Sequence, residues 1–128
     1  MLDENIKALA QGKNFAAFTT LLPGGQPMTH VMWVDADDEH LLINTEVHRQ
    51  KFKNVSRDPR VTVAVMDAAN PYHYVEVRGR VAGTVRGQEA RDHIDHLANK
   101  YTGQPYDPSA ITSERVILRI APERQRAN

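Results

Sequence analysis

The segment Leu41–Val63, LLINTEVHRQKFKNVSRDPRVTV, sets Thr45, Arg49, Lys51 and Asn54 between two apolar, β-branched runs. A hydroxyl, a guanidinium fork, an ammonium and an amide are the donors that hold a phosphate or carboxylate. If a strand ends at Asn44-Thr45 and a helix begins near Val47 or His48, free backbone amides and the positive end of a helix dipole meet there. Two readings stand: an anion clamp, or the solvated basic face of a helix. Arg49 and Lys51 are two residues apart and do not share a helical face. An anion at the start of the helix is one way for both to act.

Other residues offer chemistry less directly. In MTHVMWV, period-two alternation turns Thr29, Val31 and Trp33 one way and Met28, His30, Met32 and Val34 the other. One set fills a core. The other lines a planar ligand or a partner subunit, and spacing does not choose. Tyr72 and Tyr74 share a strand face, suited equally to stacking on a ligand or to anchoring a subunit interface.

His93 and His96 stand one helical turn apart, beside Asp92 and Asp95. No third ligand is near in sequence, and the stretch falls on the polar side of an amphipathic helix. A solvated face is expected there, and no metal site. The only serines, Ser56, Ser109 and Ser113, lack a nucleophile-elbow context. With no cysteine, thiolate nucleophiles, thiolate metal sites and disulfides are excluded. No catalytic residue is assigned.

The elements that must position these residues follow from periodicity. Asp3 caps a short helix with Ile6, Leu9 and Ala10 on one face. Strands are predicted at Lys13–Leu22, Met28–Ala36, His40–Thr45, Arg60–Asp67, Tyr74–Val85 and Glu114–Gln125. Turns are predicted at PGGQP, DADDEH and AANPYHY. A second helix runs from about Val47 to Asp58-Pro59. A third spans QEARDHIDHLANKYTG, with Ala90, Ile94, Leu97 and Tyr101 on one face and Gly103 ending it. Gly79 and Gly83, inside the fifth strand, predict bulges or a bend. The expectation is a mainly β chain with peripheral helices: a six-stranded antiparallel barrel in one domain, residues 1–128.

Lys plus Arg, 16, equals Asp plus Glu, 16, which argues against a general nucleic-acid binder. No window reaches the roughly 20 apolar residues that span a bilayer. The opening MLDENIKALAQGKN lacks a basic start and an apolar run, so a cytoplasmic location is expected.

Taken in order, GGQPMTHVMWV, LLINTEVHRQKFKNVSRDPRVTVAV, NPYHYVEVRGRV, IDHLANKYTG and ERVILRIAPER cover nearly the whole chain. They resemble the pyridoxamine 5′-phosphate oxidase-like split-barrel flavoproteins. More narrowly, they resemble the actinobacterial branch that uses the deazaflavin coenzyme F420. That resemblance implies a split-barrel homodimer with two cofactor sites at the subunit interface. It implies that Thr45, Arg49 and Lys51 hold the cofactor phosphate, with Asn54 close by. Thr29, His30 and Val31 would run beside the deazaflavin ring. Ile43 and Asn44 would border the ring and its ribityl chain, and Tyr72 and Tyr74 would reach toward the site. The implied activity is hydride transfer to a small conjugated acceptor, with a proton from solvent, His30 or a tyrosine. FMN on the same fold, or a flavin- or haem-type binding protein without turnover, are the alternatives. F420 carries an oligoglutamate tail, for which Lys53 and Arg57 are available. One departure stands out: His48 precedes the clamp arginine where related sequences often carry Gly.

Overall fold

A computed structural model describes residues 1–128. The first helix, α1 (Glu4–Gln11), begins where the Asp3 carboxylate accepts from the amides of Asn5 and Ile6, and it buries Ile6, Leu9 and Ala10. The strands are β1 (Phe15–Leu21), β2 (Pro27–Met32), β3 (Asp35–Ala36), β4 (Leu41–Glu46), β5 (Arg60–Asp67), β6 (Asn70–Arg86) and β7 (Arg115–Ala127). Two more helices, α2 (Gln50–Arg57) and α3 (Gln88–Thr102), interrupt them, and a 3-10 turn covers Pro108–Ala110. No helix is long and apolar enough to cross a membrane.

All pairs are antiparallel, in the order β2-β1-β5-β6-β7-β4-β3. The two edge strands are neighbours in sequence, joined only by Trp33 and Val34. Three residue steps, Met32 to Asp35, span at most about 11 Å. The two edges must therefore approach each other, and the sheet curls into a half-barrel.

There are seven strands rather than six, because the expected strand Met28–Ala36 is split. The backbone of Val34 is taken by side chains of α3. Its amide donates to the Tyr101 hydroxyl at 3.1 Å, and its carbonyl accepts from Lys100 Nζ at 2.6 Å. With both groups engaged, Val34 leaves the ladder and β3 pairs with β4 at the opposite edge. The expected turn AANPYHY is also shorter, since β6 begins at Asn70.

The register of β6 against β7 shifts near both glycines: at Arg78/Gly79, where the extra residue is Glu123 of β7, and at Val81/Gly83, where it is Ala82 of β6. At Gly79 a close approach requires the glycine, since a Cβ there would lie 2.1 Å from the Ala121 carbonyl oxygen. The concave face packs Phe18, Leu41, Ile43, Val63, Val65, Val77, Leu118 and Ile120 at no more than 1% exposure. Each such side chain contributes roughly 1.5–3 kcal/mol. A separate cluster, Ile94, Leu97 and Tyr101 of α3 with Trp33 and Tyr106, packs beside the β2–β3 link. That second cluster forms one wall of the cavity described next.

Candidate functional site

β4 ends in three buried polar residues, Asn44, Thr45 and Glu46. The chain then turns rather than entering a helix at once: Val47 N–H donates to the Glu114 carbonyl and Arg49 N–H to that of Glu46. The helix thus starts later than Val47 or His48. Arg49 is the N-cap of α2, and Lys51 lies in its first turn. Lys51 is only 8% exposed.

Thr45, Arg49 and Lys51 line a cavity of about 510 Å³, together with His30, Asn44 and Arg115. The rest of the lining is apolar: Phe15, Val31, Met32, Trp33, Ile94, Leu97 and Tyr106. Trp33 stacks on Tyr101 at 5.1 Å between centroids, and Tyr106 meets Trp33 edge-on at 6.2 Å. The Arg115 guanidinium lies 5.4 Å from the Tyr106 ring centre. One cavity therefore combines cations and a hydroxyl with flat aromatic surface.

The electrostatics are those of a site short of negative charge. Burial lowers the Lys51 pKa, and the charges of Arg49 and Arg115 lower it further. Burial likewise lowers that of Arg115, against the opposing pull of Tyr106 and Glu46. His30 is lowered by desolvation, then by Lys51 and Arg49. Burial pushes Glu46 up, but the amides of Ser113 and Thr112, each 2.7 Å from its Oε1, and Arg115 outweigh it and keep the carboxyl low. Glu46 Oε2 lies 3.5 Å from Arg115 Nη1 and has no hydrogen-bond partner. Two guanidiniums, an ammonium and a hydroxyl beside aromatic side chains are a donor set suited to a planar ligand that carries a phosphate.

Of the residues singled out in the sequence, the structure brings His30, Val31, Asn44, Thr45, Arg49 and Lys51 to one cavity. Five others lie outside its lining. Thr29 Oγ1 bonds Thr19 Oγ1 at 2.7 Å on the outer face of the hairpin. Ile43 points into the barrel core. Asn54 is buried beneath α2, donating to Thr20 Oγ1 at 2.9 Å and accepting from Gln50. Tyr72 and Tyr74 are exposed, at 83% and 42%. His48 Nδ1 lies 2.6 Å from Ser113 Oγ, tying the clamp turn to the segment before β7.

The solvated helix face expected for both histidines is corrected for His93. Its side chain is 11% exposed; Nε2 meets Asp35 Oδ2 at 2.9 Å and Nδ1 meets Asn44 Nδ2 at 3.1 Å. Only His96 is solvated, at 67%. The helical period placed them correctly on one side of α3, but β3 and β4 pack against the His93 edge. Arg115, Phe15, Trp33 and Tyr106 were missed. The one local signal for Arg115 is a charge opening the otherwise apolar run RVILRI.

A half-barrel sheet with a cavity lined by cations and aromatic rings is the architecture of a split-barrel protein. The family model described as pyridoxamine 5′-phosphate oxidase matches residues 2–128. The chain belongs to that family of oxidoreductases. A solved structure described as an F420 reductase is 30% identical, with a TM-score of 0.84 over 98% of both chains. A conserved hypothetical protein from Mycobacterium tuberculosis is 27% identical, with a TM-score of 0.77 over 99% of this chain and 84% of its own. General Stress Protein 26 from Bacillus anthracis, 20% identical with a TM-score of 0.71 over 97% and 91%, shares the fold. The sequence matches no curated protein.

Proposed function

We propose that this protein is an oxidoreductase of the cytoplasm that uses coenzyme F420 and works as a homodimer on a small conjugated substrate. One observation carries the reading: three cations and Thr45 share a single cavity with three aromatic side chains, Phe15, Trp33 and Tyr106. The likeness to the F420 reductase, over almost all of both chains, supports the choice of cofactor.

Arg49, Lys51 and Arg115, with the Thr45 hydroxyl, would hold the cofactor phosphate. Asn54 would act from below, by fixing α2 through Thr20 and Gln50. Phe15, Trp33 and Tyr106 would flank the ring and keep water from one face, with Val31 and the backbone of Thr29 and His30 along its edge. In its reduced form the bound deazaflavin supplies a hydride donor to the acceptor. His30 is the one imidazole in the lining. Its lowered pKa leaves it neutral near pH 7, so it can take up a proton there more readily than release one. Ile43 supports the floor from the core, while Tyr72 and Tyr74 would act only through a second subunit.

FMN is the second reading, favoured by one observation. Of the two exposed cations expected to meet a longer acidic tail, Lys53 and Arg57, the second already donates to the Leu21 carbonyl. Separate titrations of the ligand-free protein with F420, FMN and FAD test the choice. Tightest binding of F420 is expected. Much tighter binding of FMN would move the protein to the FMN reading, and failure of all three would remove the cofactor assignment.

A further inference from the structure

The polar end of the cavity continues into a line of side chains that runs away from it. From Arg115 of β7 it passes to Asn44 of β4, then to His93 of α3 and Asp35 of β3. The two ends fix the roles of every atom between them. Arg115 Nε–H can only donate, so the Asn44 atom 2.9 Å away is Oδ1. Nδ2 of Asn44 then faces α3, where it donates to the Ala90 carbonyl at 3.0 Å and lies 3.1 Å from His93 Nδ1. An amide nitrogen does not accept, so His93 Nδ1 accepts and carries no proton. The ring proton sits on Nε2 and is donated to Asp35 Oδ2 at 2.9 Å. Turning the Asn44 amide over would set its oxygen against the Ala90 carbonyl and its NH₂ against Arg115.

Asp35 is itself held, its Oδ1 accepting from the Ala36 amide at 2.9 Å. His96, largely exposed, lies 3.8 Å from Asp35 Oδ2, with its ring centre 6.3 Å from that of His93.

We propose that His93 is a positioning residue of the anion site: together with the Ala90 carbonyl, it holds the Asn44 amide in one orientation and so keeps Arg115 aimed at the cavity. The proposal rests on the reading of the cavity as a cofactor-phosphate site. Its physical basis is a competition for Arg115. On one side, Asn44 Oδ1 holds Nε. On the other, Glu46 Oε2 lies 3.5 Å from Nη1 and bonds nothing else. Freed from Asn44, the guanidinium closes onto Glu46 and one cation is withdrawn from the ligand.

The test uses His93→Leu, His93→Gln, Arg115→Ala and the double variant His93→Leu/Arg115→Ala, titrated with F420 and with FMN. His93→Leu should weaken binding about tenfold, the scale of one lost hydrogen bond. His93→Gln, which offers an acceptor and a donor, should restore most of it. On the Arg115→Ala background, His93→Leu should cost nothing further, because its effect runs through Arg115. In the ligand-free protein, ¹⁵N NMR should show a slowly exchanging Arg115 Nε–H in wild type and His93→Gln that is lost in His93→Leu. Should His93→Leu fail to fold, Asp35→Ala breaks the same line at its far end and should move the same signals. Unchanged Arg115 Nε–H and Asn44 amide signals, or fully additive losses in the double variant, would overturn the proposal and leave His93 a space-filling residue. If wild type binds neither cofactor, the cofactor reading falls, and the ligand-free NMR signals still decide the role of His93.

Discussion

Lys51 is nearly buried beside Arg49, and the charges that act on it, Arg49 and Arg115, are both positive. A buried ammonium among like charges is costly unless an anion joins it. If the anion is a cofactor phosphate, Lys51→Ala should weaken F420 binding by about 1.5–3 kcal/mol, or roughly ten- to 150-fold. Arg49→Ala should act in the same direction but less, since Arg49 is exposed to solvent. Both losses should shrink as salt rises, and Lys53→Ala should matter less for FMN than for F420. Fluorescence titrations at two salt concentrations measure all of this. Wild-type affinity in both Lys51→Ala and Arg49→Ala would remove the cofactor phosphate from these two residues.

The same lysine predicts opposite pH trends for stability and for binding. Its folded pKa lies below the ordinary 10.5. Between the two values the unfolded chain binds the proton more tightly, so the Lys51 contribution to stability rises with pH. Anion affinity should fall across that window, because the ammonium is being lost. Denaturation and titration series run toward pH 10.5, in wild type and Lys51→Met, separate this lysine from the others. Parallel pH trends in the two proteins would show that Lys51 titrates normally.

His30 supplies a reporter of the anion. In the ligand-free protein its NMR titration midpoint should lie below 6.5, through desolvation and the nearby Lys51 and Arg49. Inorganic phosphate brings charge without a ring to desolvate the imidazole. It should therefore raise the midpoint. A midpoint that ignores phosphate would place the anion elsewhere.

The outer face of the sheet predicts self-association. Phe15, Met66 and Tyr74 lie directly opposite one another across β1, β5 and β6, at 44%, 42% and 42% exposure. Val31, next along β2, is 69% exposed. Such a row is poorly tolerated in water, and a second copy of the chain would cover it. Sedimentation equilibrium at micromolar concentration should give about twice the 14.4 kDa chain mass. Met66→Lys should shift it toward monomer. A monomeric wild type would leave Tyr72 and Tyr74 without a route to the cavity of Arg49, Lys51 and Arg115.

What the sequence determined by itself is whatever has a short reach. The alternation of Ala16, Phe18 and Thr20 against Phe15, Ala17 and Thr19 marks β1, because successive side chains of a strand face opposite ways. Asp3 marks the start of α1 through bonds made within three residues. Thr45, Arg49 and Lys51 were legible as a unit because one strand-to-helix junction carries all three. Gly79 announced an irregularity in the ladder, though not the Ala121 carbonyl that requires a glycine there.

Tertiary structure decided the rest. Alternation continues through Val34, yet Tyr101 and Lys100, 67 and 66 residues away, capture its backbone and cut one strand into two. Arg115 reaches the cavity because β7 pairs with β4, which sets Arg115 opposite Glu46. His93 reads as a surface residue on its own helix. It becomes buried because Asp35 and Asn44, 58 and 49 positions distant, close over it. Periodicity records which side of an element a residue occupies. What packs against that side is set by sheet order, and the pairing of distant strands leaves no trace in any local window.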